Sequence, residues 1–236
     1  MRWAPGALIV LLLLLVGCAH TVAGSAHPAT RAMGILPTED EITAAVGNPL
    51  STFGFQPFIG NVDVLPDGYR TEADATPIAC VAVTDTASRI VYEAAPIVEV
   101  ARLSYFNWDS GVDASGADAA VVRLSTADAA RATFASFVRQ WQQCDGVSVA
   151  KRAGGQTKAA FGADVSEVKE TSTVLSATVR THGGPQVQSA VYERALGVRA
   201  GTIVEVSLAI TPQGQRQPTA PTPAARLVRV MLDKVG

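Results

Sequence analysis

The chain has 236 residues, 48% of them hydrophobic, and a formal net charge of −2. That is enough apolar material for one sizeable core. The near-neutral charge, with no Lys or Arg run after the leader, speaks against nucleic acid as a partner, because phosphate binding needs clustered positive charge.

The first segment reads as an export signal. Arg2 precedes an unbroken apolar run, Ala7 to Val16, closed by Leu15-Val16-Gly17-Cys18 in the pattern of a bacterial lipobox. Ten residues are too few to span a bilayer, which takes about 20. The expectation is a signal peptide over 1–17, cleavage before Cys18, and lipid on its thiol. Acyl chains contributing roughly 0.8 kcal/mol per buried methylene would then hold the protein at the extracytoplasmic face of the cell membrane. The alternative is an ordinary signal peptide cut near Ala23-Gly24-Ser25-Ala26, with Cys18 discarded. Residues 18–37 are small, polar and aperiodic, as suits a flexible tether, and a single folded domain is expected over 38–236.

Thr38-Glu39-Asp40-Glu41 is a capping box. Ile42, Ala45 and Val46 share one face of the helix that follows, and Gly47 is placed to end it. From Asn48 to Thr86, Pro49, Pro57, Pro66, Gly68 and Pro77 punctuate the chain, predicting loops and short extended pieces. Phe53, Phe55 and Phe58 in this stretch are expected to cover core. Ile97 to Trp108 reads as a strand. Asp109 to Asp118 follows as a polar turn: it has acidic residues, but Ala114 stands where a calcium loop requires Gly and no Glu closes it, so no metal site is expected.

Ala120 to Leu124 is a short strand. Ser125 or Thr126 then caps the clearest helix, whose Ala130, Phe134, Phe137, Val138 and Trp141 recur at helical spacing and end just before Cys144. With Cys18 assigned to lipid, Cys80 and Cys144 remain in a chain sent to an oxidising compartment, and they are expected to pair. A reactive thiol is the competing reading, but Cys80 has no adjacent His or Lys to lower its pKa. Beyond Gly146 the period becomes two. Leu175, Ala177 and Val179 alternate with Ser176, Thr178 and Arg180; Val187 to Leu196 follows; then Val204, Val206, Leu208 and Ile210 alternate with Glu205 and Ser207. Short connections make these strands antiparallel. A last helix, capped by Thr222 with Pro223 at its first position, buries Ala224, Leu227, Val228, Met231 and Val235. The order predicts an α+β fold: an antiparallel sheet with helices packed on one face.

Catalytic chemistry is hard to find. His20 and His27 fall in the tether, leaving His182 beside a Gly-Gly-Pro turn. No nucleophile elbow, His-Glu-x-x-His helix, phosphate loop or dinucleotide fingerprint occurs, so neither an enzyme nor a cofactor is expected. The polar positions of the alternating strands, Ser176, Thr178, Arg180, Glu205 and Ser207, are the candidate ligand lining, weighed against an ordinary hydrated sheet face.

Several of these pieces together resemble the extracellular sensor domain of mycobacterial PknH-type serine/threonine kinases, which also occurs alone in lipoproteins. The pieces are Ile35-Leu36-Pro37-Thr38, Pro77-Ile78-Ala79-Cys80, Phe137-Val138-Arg139-Gln140-Trp141-Gln142-Gln143-Cys144 and Thr202-Ile203-Val204-Glu205-Val206. The resemblance implies a sheet with helices on one side and a solvent-exposed cleft for a ligand, without catalysis. The chain departs from it in having no cysteine after Cys144, where the kinase domain has a second disulfide, and it has no kinase domain. The functional expectation is a lipid-anchored envelope protein whose domain binds or senses a small-molecule, lipid or glycan ligand. The alternative is a structural lipoprotein that docks another envelope protein.

Overall fold

The structure, a computed structural model, describes residues 31–152, 160–183, 189–216 and 220–236; the lipobox Cys18 lies outside them. The helices are α1 (Arg31–Ile35), α2 (Glu39–Val46), α3 (Val81–Thr84), α4 (Arg89–Tyr92), α5 (Ala127–Cys144) and α6 (Pro223–Asp233). The strands are β1 (Phe58–Gly60), β2 (Ala75–Thr76), β3 (Ile97–Phe106), β4 (Ala114–Leu124), β5 (Ser148–Arg152), β6 (Ala160–Glu170), β7 (Val174–Gly183), β8 (Ala190–Arg199) and β9 (Thr202–Ile210). All nine join one antiparallel sheet in the order β1-β3-β4-β9-β8-β7-β6-β5-β2. The topology is economical: β3 and β4 form a hairpin, α5 carries the chain across to the other side, and β5 to β9 meander back until β9 pairs with β4.

The α+β class and the antiparallel sheet are as expected. The layering is richer than one helical face. Alternate residues of β4 feed two separate cores: Ala120 and Val122 join Phe134, Phe137 and Trp141 of α5, whereas Ala119 and Val121 join Ile42 of α2 and Leu227, Val228 and Met231 of α6. Helices therefore cover both faces. The reason is visible in β9, where every residue from Thr202 to Leu208 is buried; a strand covered on both sides has no outward face.

The caps act as their sequences imply. The Thr38 hydroxyl accepts from the Glu41 N–H at 3.2 Å and the Glu41 carboxylate accepts from the Thr38 N–H at 2.7 Å, closing the capping box. Gly47 ends α2 at φ 99°, a left-handed conformation that glycine adopts without strain. Thr126, rather than Ser125, caps α5 by accepting from Ala129 N–H, and Thr222 caps α6 with Pro223 in its first turn. Cys80 and Cys144 are joined, tying the end of α5 to the segment that leads into α3. Trp141 is fully buried and donates its indole N–H to the Ala82 carbonyl at 3.0 Å, a second tie between the same two elements.

Three expectations are corrected. Folded structure is already present at Arg31–Ile35, inside the segment read as tether, because Ala32, Ile35 and Leu36 are buried in the α6-side core. The polar turn after β3 ends at Val112 or Asp113, and β4 takes Ala114 onward into the sheet. Phe53, Phe55 and Phe58 do not cover core: they are 53%, 61% and 62% exposed, and Trp108 is 74% exposed. Three of these four rings, with Phe106, form an exterior cluster in which Phe53 stacks on Trp108 at 4.4 Å, Trp108 on Phe106 at 6.0 Å, and Phe55 meets Phe106 edge-on at 6.2 Å.

Candidate functional site

One face of the sheet changes character along its strands. On β9 the α5-side residues run from Ile203, in the core, through Glu205 to Ser207; on β8 they run from Leu196 through Arg194 to Tyr192. The apolar end lies under α5. The polar end is not covered by α5, and there the sheet floors a cleft of about 370 Å³.

Between the two ends sits a buried ionic pin. Arg194 and Glu205 are each 1% exposed, with 2.9 Å between Nη2 and Oε2. The guanidinium also donates to the carbonyls of Val83 (2.9 Å), Asp85 (3.1 Å) and Val206 (3.3 Å) and to the Thr86 hydroxyl (2.5 Å). The carboxylate accepts from Tyr92 Oη at 2.5 Å and from Ala87 N–H at 3.1 Å. Burial, and the carboxylate beside it, push the Tyr92 phenol well above its ordinary pKa. A buried charge pair needs its remaining donors and acceptors filled, and here the backbone of 83–87 fills them. That segment is thereby fastened to β8 and β9 and forms one wall of the cleft through Thr84, Asp85 and Thr86.

The opposite wall is Phe58, from the edge strand β1, and the floor rows beside it are Arg102 and Ser104 of β3 and Asp118 of β4. At the far end Lys151 of β5 is 4% exposed; its ammonium lies 2.5 Å from the Asp85 carboxylate, 3.2 Å from the Thr84 hydroxyl and 4.4 Å from the centre of the Tyr69 ring. Burial pulls the Lys151 pKa down against the opposing pull of Asp85, and burial, with Asp85 adding to it, pushes Tyr69 up to about 12. Tyr192 is likewise raised, by burial first and Asp118 second. The cleft thus offers aromatic walls, hydroxyls, two carboxylates and two cations, a combination able to orient a polar ligand. Among the described residues no cluster of three or more metal-ligating side chains occurs.

The residues chosen from strand alternation do not assemble into one site. Ser176, Thr178 and Arg180 alternate with Leu175, Ala177 and Val179, which pack into the α5-side core, so they point to the α6 side. Thr178 there donates to Glu167 at 2.9 Å. Glu205 faces the other side and is consumed by the pin. Of the set, Ser207 lines the cleft. The cleft residues that sequence reasoning missed are Arg102 and Tyr192, in stretches read as apolar strands, Lys151, in a strand not recognised, and Asp118, in the segment read as a polar turn. Lys151 carried one usable signal, an inward charge in the alternation Val149-Ala150-Lys151. His182 is half exposed and 3.2 Å from Asp164 near the end of β7; the Gly184-Pro185 part of the turn read beside it lies outside the described residues.

Among curated proteins no match is found. Among solved structures, the crystal structure of the extracellular domain of PknH from Mycobacterium tuberculosis is similar with a TM-score of 0.67 at 18% identity, covering 89% of this chain and 96% of that one; at this identity the likeness speaks for the fold. A family model described as the PknH-like extracellular domain matches residues 27–234. A match over that much of the chain, with a sheet and helices that superpose on a member's structure, means that the protein belongs to the PknH-like extracellular domain family.

Proposed function

We propose that this protein is a lipid-anchored envelope protein whose domain binds or senses a small ligand in the cleft on the α5 face of its sheet, without turning it over. The observation that carries the reading is the cleft itself: about 370 Å³ of polar, aromatic-walled space on a floor of paired strands, with one wall fixed by the Arg194–Glu205 pin. Ligand sites are characteristically preformed concavities with a few placed polar groups. Extracytoplasmic placement is supported by the family and by the disulfide, and anchoring by the lipobox at Cys18. No helix among the described residues is long and apolar enough to cross a membrane.

Thermal-shift screening of envelope glycans, lipids and small metabolites tests the ligand reading, since binding to the native state alone raises the melting temperature with ligand excess. Anchoring is tested by Cys18→Ala, which should release the protein from membranes or leave an uncleaved precursor; unchanged fractionation would refute it. A second reading, a structural lipoprotein that docks another envelope protein, is favoured by the exterior cluster of Phe53, Phe55, Phe106 and Trp108, because contiguous exposed apolar surface marks interaction sites. A screen without any shift, together with loss of a co-purifying protein in Trp108→Ser, would decide for that second reading.

A further inference from the structure

Two cations face the cleft, and they are differently provided for. Lys151 is matched by Asp85 at 2.5 Å. Arg102 has no carboxylate at ion-pair distance among the described residues. Its cross-strand neighbours are Phe58 on β1 and Ala120 on β4, neither of which offers a side-chain acceptor. The Phe58 ring lies 5.0 Å from the guanidinium carbon, covering one face of the group. Arg102 Nε is buried and has no hydrogen-bond partner among the described residues. Asp118 stands close enough to be felt electrostatically, but the nearer claim on its carboxylate is the Ser104 hydroxyl, at 2.5 Å. Burial accordingly pulls the Arg102 pKa down from its ordinary value, with Asp118 opposing. Other partly or fully buried arginines of the sheet are satisfied: Arg194 by Glu205 and Arg123 by Glu99 at 2.6 Å.

We propose that Arg102 is the anion seat of the cleft and receives the carboxylate or phosphate of an acidic sugar, whose neighbouring hydroxyls donate to Asp118 and whose ring face lies against Phe58. The assignment rests on the reading of the cleft as a ligand site. A guanidinium edge presents parallel N–H donors that match two oxygens of such a group. A bare anion would meet the field of Asp118, two residues along β4 from Ala120; a ligand that also carries hydroxyls turns that carboxylate into an acceptor. Aromatic rings on both walls, Phe58 on one and Tyr69 on the other, suit the C–H faces of a sugar ring. Carboxylate-bearing and phosphate-bearing sugars share this chemistry, and the experiment separates them.

The test follows the Arg102 side-chain Nε–H and the backbone amides of Ser104 and Asp118 by NMR during titration with glucuronate, glucose 6-phosphate, glucose and glycine. The expected result is a shift of the Nε–H signal with one or both acidic sugars, with glucose binding at least about tenfold more weakly, as expected for loss of a charge-assisted contact. Whichever acidic sugar shifts the signal identifies the anion. In Arg102→Gln the affinity should fall about ten- to a hundredfold while the melting temperature holds or rises, because the substitution removes a desolvated charge whose Nε has no hydrogen-bond partner among the described residues. Arg102→Lys should recover part of the affinity. A drop in melting temperature without loss of affinity would mark Arg102 as structural and overturn the proposal. So would equal binding of glucose and the acidic sugars, a response to glycine in their place, or an Nε–H unmoved by both acidic sugars. In these cases cleft amides that still move with a neutral compound leave the ligand-site reading standing; cleft amides unmoved by any compound of the wider screen end that reading too.

Discussion

Removing the charge of Glu205 should be among the most damaging single changes this domain can suffer. Glu205→Gln keeps the shape and an acceptor for Tyr92, but it takes away the negative charge that balances Arg194 and turns a donor toward the Ala87 N–H. Breaking a buried pair by removing one partner costs about 3–5 kcal/mol. Three backbone carbonyls and a hydroxyl still receive the guanidinium, which places the expectation at the lower end, about 3 kcal/mol. Against a total stability of roughly 5–15 kcal/mol that is a large fraction. Urea unfolding with the disulfide intact, followed by tryptophan fluorescence, measures it. A cycle with Arg194→Met should show coupling of at least about 2 kcal/mol, since the two residues act as one unit. Hydrogen exchange should rise first at Asp85, Thr86 and Ala87, whose backbone the pin holds. A loss below about 1 kcal/mol, the range of an exposed ion pair, or additive single effects, would refute the reasoning.

Reduction of Cys80–Cys144, which closes a separation of 64 residues, should lower stability by about 4 kcal/mol on the loop-entropy model; a transition unmoved by reductant would show that Trp141 and its neighbours already hold α5 to the 80–84 segment. Gly197→Ala should destabilise by about 1–3 kcal/mol, because a Cβ there would come within 2.7 Å of Val228 and 2.8 Å of Leu232 on α6, and a wild-type melting temperature would show that α6 can shift. Acid should loosen the loop that carries Tyr69: Asp74 accepts from the Arg70 and Thr71 N–H groups at 3.0 and 2.9 Å, and the Arg70 bond foremost holds its pKa below the ordinary value. A depressed carboxylate stabilises above its unfolded pKa and loses that contribution as pH falls through its folded one, so the change belongs below about pH 4; NMR titration of Asp74 at or above that value would contradict it.

The elements most legible in the sequence are those whose signals are local. Capping residues located α2, α5 and α6 to within a few positions, and the apolar stripe of α5 pointed directly at the core. The cysteine pair was equally readable, since only two candidates remained. What stayed hidden depends on neighbours far away in the chain. Alternation in β9 was read as one wet face and one dry, but with helices on both sides the polar residues Glu205 and Ser207 face inward, to a buried pin and a cleft. The strands β5 and β6 were missed because their inward positions include Lys151 and Ala163 beside the larger Val149 and Val165, a weak hydrophobic signal over short runs. Phe53 and Phe55 look like core in any composition count; a turn with positive φ at Phe53 and Gly54 carries them outward instead.

The two margins of the sheet are its shortest strands: β1 has three residues and β2 two, against as many as eleven inside. Pro57 directly precedes β1 and Pro77 directly follows β2. Long unpaired margins recruit strands from other molecules, and brief, proline-flanked ones deny them a template. At the outermost strands, crowded copies would therefore have little backbone on which to polymerise edge to edge. A partner that adds a strand at these outermost margins would likewise find only three residues of β1 or two of β2 to pair with.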